Sequence, residues 1–183
     1  MIEFNVVFER EKPGSATKIL DLDPNVALNG VASQPSNHKS AKAAIDGKPE
    51  RLNRCSYTDS ENNPWWRADL LQTHQISSIK ITNTEKNSKE GIDGADIRTI
   101  TGTTTQNIDP VSPPSLPRSL AHSAPFYSRC ATVKSIELGA AETFDWGGMQ
   151  GRFVNVMRRG SARRLTLCEV EVFGHPLFII EVC

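Results

Sequence analysis

Leu165-Thr166-Leu167-Cys168-Glu169-Val170-Glu171-Val172-Phe173 is the stretch that decides the fold class of this chain. Apolar and polar side chains alternate along it, the period-2 signature of a β-strand. Leu165 and Leu167 share one parity, whereas Val170 and Val172 share the other. That switch marks a bulge near Cys168 or a strand buried on both sides. Working back from it, Arg152-Phe153-Val154-Asn155-Val156-Met157 and Ser135-Ile136-Glu137-Leu138 read as further strands. So do the segments holding Ala95, Ile97 and Ile100, then Ile76, Ile79 and Ile81, then Trp66-Arg67-Ala68-Asp69-Leu70. Helical periodicity is confined to a single turn around Ser40-Ala41-Lys42-Ala43-Ala44-Ile45. Short strands joined by polar turns predict an all-β sandwich or barrel. Residues 101–128 hold Pro110, Pro113, Pro114, Pro117 and Pro125 and read as one long loop, either functional or an insertion. Residues 1–24, broken by Lys12-Pro13-Gly14-Ser15, read as an appendage, and 175–183 as a tail.

A length of 183 residues suits one domain. Lys plus Arg and Asp plus Glu both total 21, so no global field attracts nucleic acid or an anionic membrane. No apolar run approaches the roughly 20 residues of a membrane span. The start of the chain carries Glu3 and Glu9 around a brief apolar stretch, so no secretory signal is visible in it. The cysteines Cys55, Cys130, Cys168 and Cys183 lack CxxC spacing, which argues against zinc and fits either reduced thiols or one or two bridges. His38, His74, His122 and His175 are scattered, and neither a Gly-x-Ser-x-Gly elbow nor an HExxH motif occurs. Nothing in the sequence points to an enzyme.

Four segments carry a more specific message: Asn25-Val26-Ala27-Leu28-Asn29-Gly30-Val31-Ala32-Ser33-Gln34, Ala44-Ile45-Asp46-Gly47, Asn63-Pro64-Trp65-Trp66-Arg67-Ala68-Asp69-Leu70 and Leu167-Cys168-Glu169-Val170-Glu171-Val172. Ile92-Asp93-Gly94-Ala95-Asp96-Ile97 and Gly151-Arg152-Phe153-Val154 add to them. In this order they resemble the F-type lectins (fucolectins), a branch of the discoidin-like, galactose-binding-domain-like β-sandwiches, over residues 25–174. The resemblance implies an eight-stranded antiparallel jelly roll with binding loops gathered at one end. It makes Trp65 and Trp66 framework residues, one in the core and one near the loop base. It also implies a Cys55–Cys168 disulfide, whose long loop would contribute about 4–5 kcal/mol by chain entropy; two buried thiols are the alternative. The family's second bridge is not reproducible, because Trp146 stands opposite Cys130; Cys130 and Cys183 remain a pair of their own or free thiols.

The family holds Ca2+ beneath its sugar-binding loops, and calcium takes six to eight oxygens, commonly two carboxylates plus carbonyls. By resemblance, Asp46 and Glu169 supply the carboxylates and Ala43, Lys48, Arg54 and Cys168 supply carbonyls. Against this, Lys48 puts a cation beside the ion, and Asp46 could simply start an Asp-Gly turn.

The family's fucose motif, a His, an Arg-x-Asp and a further basic residue, is rewritten. Tyr57, Thr84, Lys86 and Gly91 occupy those positions, and Asn87-Ser88 replaces the neighbouring cysteine pair. Losing cationic donors could cost about 1.5–3 kcal/mol each, so fucose affinity should collapse while Tyr57, Lys86 and Lys89 could line a different pocket. The implied function is a calcium-stabilised carbohydrate-binding module of altered specificity, its partner a glycan, fucosylated or anionic. Secretion and homo-oligomers are family habits. The alternative is an interaction domain that binds a protein or an anionic group, such as a lipid headgroup, through Arg158, Arg159, Arg163 and Arg164 around Gly160-Ser161-Ala162.

Overall fold

The computed structural model describes residues 23–51, 54–85, 91–101 and 127–177, with side chains from 131 onward in the last span. The appendage up to residue 22, most of the proline-rich loop, Lys86, Asn87, Ser88, Lys89 and Cys183 lie outside the described residues, as does the side chain of Cys130. The strands among the described residues are β1 (Val31–Ser33), β2 (Ser56–Tyr57), β3 (Trp65–Thr82), β4 (Ala95–Ile100), β5 (Tyr127–Thr132), β6 (Ala141–Arg158), β7 (Thr166–Leu167) and β8 (Glu169–Pro176). All pairings are antiparallel. The all-β sandwich is therefore the observed architecture.

Two long strands organise it. β3 and β6 pair along most of their lengths, but the register breaks between Asp69 and His74 and again between Ile76 and Ser78. The first break coincides with Leu71, whose φ of 70° lies in the left-handed region and whose N–H is held by Asp69 Oδ1 at 2.8 Å. On one side of it, β3 pairs with β1 and with the end of β6, which carries β4 and then β5. On the other side, β3 lies between the start of β6 and β8. Both halves turn apolar faces onto one core: Trp66, Ala68, Val154, Val156 and Ile97 from the first, Ile76, Ile79, Ile81, Val170 and Val172 from the second. Trp146 on β6 donates its indole N–H to Thr99 Oγ1 on β4 at 3.3 Å, joining the halves through the interior.

Several expectations change at this level. The two strands expected at Trp66–Leu70 and at Ile76–Ile81 are one strand, β3. The odd spacing from Ile76 to Ile79 is absorbed by the bulge at Ser77, whose hydroxyl donates to the Phe173 carbonyl at 3.1 Å. Ser135–Leu138 is not a strand. Ile136 is buried from an irregular segment, and its carbonyl accepts the Asn83 side-chain amide at 2.7 Å. The parity switch at Cys168 is a genuine break: β7 pairs with β2, and after Cys168 the chain enters β8 and pairs with β3. The expected helical turn is a 3-10 helix, His38–Ile45. Trp66 is fully buried, its N–H on the Ala41 carbonyl of that helix. Trp65 is half-buried, with the Arg67 guanidinium 5.4 Å from its ring centroid.

Candidate functional site

The site grows from the first residue of β8. Cys168 is joined to Cys55 by a disulfide spanning 113 positions, which ties the start of β8 to the segment following the 3-10 helix. Glu169 is completely buried. Its Oε1 accepts the Gly47 N–H at 3.0 Å and its Oε2 the Lys48 N–H at 3.3 Å. The same Lys48 N–H also reaches Asp46 Oδ1 at 3.0 Å, so two carboxylates from opposite ends of the sequence flank one amide. The turn that allows this needs glycine. Gly47 has φ 72°, and a Cβ there would stand 2.8 Å from Leu28 Cδ2.

Burial pushes the Glu169 carboxyl up to about 7; the two amide hydrogen bonds oppose that, and the charges of Asp46 and Glu171 reinforce it. No cation answers this charge among the described residues. A buried carboxylate with a second acid beside it and no cation is a costly arrangement. It suits a hard divalent ion, which prefers oxygen ligands. Among the described residues no three His, Cys, Asp or Glu side chains converge. The rest of a coordination shell would therefore consist of backbone carbonyls, for which Ala43, Lys48, Arg54 and Cys168 are the candidates. The Lys48 carbonyl already accepts the Arg51 N–H at 2.9 Å, and the Lys48 side chain is exposed rather than turned into the core.

Next to this pair is a network that the sequence did not advertise. Gln34 is buried, and the two hydrogens of its amide nitrogen are shared among the Ser36, Asn37 and Tyr57 carbonyls and Ser40 Oγ, all within hydrogen-bond distance, while its Oε1 accepts from Ser56 Oγ. One amide thus fastens the Ser36–Asn37 turn, the 3-10 helix and β2. Asn37 takes φ 51° and donates to Asp59 Oδ1, and Ser36 Oγ donates to Glu61 Oε1. No spacing rule finds a buried glutamine of this kind; only its place inside the first matched segment hinted at it.

The four rewritten fucose positions separate in kind. Tyr57 is exposed, at 52%, on a strand held by Gln34. Thr84 is buried at 3%, its N–H on Asn83 Oδ1 and its carbonyl on the Gly139 N–H. Gly91 is half-buried, and Lys86 lies outside the described residues.

The four-guanidinium clamp does not form. Arg158 is buried and donates to the carbonyls of Asp93 and Arg164, both at 3.1 Å. Arg159 pairs with Asp96 at 3.2 Å. Only Arg163 and Arg164 remain as exposed members without an ion pair among the described residues. Their loop is stitched to the one before β3 by reciprocal backbone bonds between Glu61 and Arg163, by the Asn63 N–H on the Gly160 carbonyl and by the Gly160 N–H on Asn63 Oδ1.

An F5/F8 type C family model, described as a NedA-like galactose-binding domain, matches residues 43–156. Fucolectin-1 of Anguilla japonica is 34% identical over 162 residues, covering 82% of this chain and 81% of that protein. The chain belongs to the fucolectin, or F-type lectin, family. A pentraxin fusion protein of Xenopus laevis is 29% identical over 181 residues, covering 96% of this chain. A fucolectin from striped bass (Morone saxatilis) serum superimposes with a TM-score of 0.67 at 39% identity over 84% of this chain. The chain spans 38% of the pentraxin fusion protein and 48% of the striped bass lectin chain. The two fucolectins among these relatives are lectins by name. No helix among the described residues is long and apolar enough to cross a membrane.

Proposed function

We propose that this chain is an extracellular carbohydrate-binding module stabilised by Ca2+, with a glycan specificity different from that of fucose-binding relatives. The observation that carries the metal is the fully buried, cation-free Glu169 beside Asp46, braced by the Cys55–Cys168 bridge. Asp46 and Glu169 would hold the ion through their carboxylates, with carbonyls from Ala43, Lys48, Arg54 and Cys168 completing the shell. The ion would neutralise the buried charge and fix the loops above it; it would activate no water. Family membership supports a saccharide partner.

The residues themselves support altered specificity. Thr84, at the position of the family's first arginine, is buried and brings no cation. Tyr57 replaces a histidine with an exposed aromatic ring, a surface on which the apolar face of a sugar can stack. Arg163 and Arg164, the exposed arginines of that loop, would receive an anionic group of the ligand.

Glycan-array screening of the intact chain, with calcium and with chelator, tests the reading. Saccharide signals that chelator abolishes are expected, together with a calcium-dependent rise in melting temperature that Asp46→Asn or Glu169→Gln removes. Silence across a broad array would overturn the carbohydrate assignment. A melting curve indifferent to calcium would remove the metal.

A further inference from the structure

We propose that the end of the sandwich opposite the Asp46–Glu169 pair carries a second binding site, for a small neutral ligand bearing hydroxyl groups. β3 and β8 pair from Thr82↔Glu169 at one end to His74↔Pro176 at the other. At about 3.3 Å per residue the two ends of this ladder lie on the order of 20 Å apart, and no residue lining the cavity belongs to the Asp46–Glu169 arrangement.

The cavity there has a volume of about 440 Å3, within the range of roughly 300–1,000 Å3 typical of small-molecule sites. Its origin is the break in β3. Asp69 Oδ1 captures the Leu71 N–H and turns Leu71 to φ 70°, and pairing of β3 with β6 is suspended from Asp69 to His74. The displaced backbone leaves a hollow walled by Val26, Leu70 and Pro176 and edged by Asn29, Gln72 and His74. A leucine held in the left-handed region is uncommon and is of the kind that clusters at ligand sites.

His74 supplies the chemistry. It is 4% exposed, and its Nδ1 lies 2.9 Å from the Gln72 carbonyl. A carbonyl oxygen only accepts, so Nδ1 carries the proton and Nε2 presents a lone pair. Burial lowers the pKa of this imidazole, against the raising effect of the Gln72 bond, and so favours the neutral ring. Nε2 has no partner among the described residues. The amides of Asn29 and Gln72 add both donors and acceptors.

No lining residue is charged. Asp23 and His175, the chain neighbours of Pro24 and Pro176, pair with each other, and Asp69 is engaged by Arg152 at 2.8 Å. An anion would find no cation in this cavity and a cation no carboxylate, while a wholly apolar ligand would strand Nε2. A neutral ring with one apolar face and several hydroxyls satisfies every group. A pyranose is the simplest example, and the choice of probe is the only part that rests on the carbohydrate reading.

The test is 1H–15N NMR of the full chain in chelator, titrated separately with D-galactose and L-fucose to tens of millimolar. Saturable shifts are expected at the Leu71 amide, at the Asn29 and Gln72 side-chain amides and at the His74 ring. His74→Phe keeps the ring volume and removes the acceptor, and should weaken binding about tenfold. Gln72→Ala, at an exposed position, should weaken it several-fold without threatening the fold. Absence of saturable shifts at the cavity, or shifts that both variants leave unchanged, overturns the inference. In a parallel titration with calcium in place of chelator, a sugar response at Gly47 and Lys48 with none at the cavity would do so too while sparing the proposed function; the converse would separate the two in the other direction.

Discussion

Glu169 concentrates the chemistry of this molecule in one side chain. Its carboxyl is raised from 4.5 to about 7 by burial, so between those values the folded, metal-free chain binds a proton that the unfolded chain releases. Stability in chelator is therefore fully present below about pH 4.5 and falls as pH rises through about 7, by something on the order of 3 kcal/mol. A bound cation reverses this by stabilising the charged form. Measured against Glu169→Gln, the melting temperature of the unsubstituted chain should thus fall from pH 4.5 to 8 in chelator and hold level in calcium; the comparison cancels the buried His74 imidazole, whose lowered pKa works in the opposite sense. A difference that rises over this interval in chelator would contradict the account. Asp46 and Glu169 could be singled out only because the segments that hold them, Ala44-Ile45-Asp46-Gly47 and Leu167-Cys168-Glu169-Val170-Glu171-Val172, resemble family segments; an Asp-Gly pair by itself reads as a turn. Arg158 and Thr84 could not be read in the same way. Whether an arginine faces solvent or donates to the carbonyls of Asp93 and Arg164 depends on tertiary neighbours that no local pattern encodes.

At the scale of elements, period and breaks were legible separately, but their combination was not. The parity change at Cys168 announced a break, and the structure makes it the point where the chain passes from β2 to β3 as its pairing partner. The bend in β3 was hidden because Asp69, Leu71 and Gln72 look like an ordinary polar turn between strands, whereas the backbone bulges and continues. Ser135–Leu138 misled because one buried isoleucine among polar residues imitates alternation. The ladder between β3 and β8 also depends on a close approach invisible to pattern reading. A Cβ at Gly174 would stand well inside contact distance of the Gln75 carbonyl and about 3.0 Å from Ile76 Cα. Neither neighbour is a flexible side-chain end, so relief requires the strands to part. Gly174→Ala should accordingly lower stability in urea unfolding by about 3 kcal/mol, at the upper end of ordinary overpacking costs. A change below about 0.5 kcal/mol, the usual range of neutral surface substitutions, would show that the pair of strands is looser than described.

The whole molecule inherits its cooperativity from β3 and β6, which run through both halves and so cannot be lost from one half alone. Pairing extends from Trp66↔Val156 in the first half to Ile79↔Phe144 in the second, and both halves cover the same core. Melting either half would expose the apolar face of the other, and truncating even one large buried side chain typically costs about 3–5 kcal/mol. A state with one half folded is therefore far above both native and unfolded chains, the condition for all-or-none behaviour in a domain of this size. Two tryptophans make this testable, because Trp66 sits on the β1 side of the bend and Trp146 on the β8 side, each buried. A Trp65→Phe, Trp146→Phe variant leaves Trp66 as the fluorescent reporter, and a Trp65→Phe, Trp66→Phe variant leaves Trp146. In urea, with the Cys55–Cys168 bridge intact, the fluorescence curve of each variant should superimpose on its own far-ultraviolet circular dichroism curve. Distinct midpoints between the two probes in either variant would mean that the halves unfold separately, and that the long strands do not couple them.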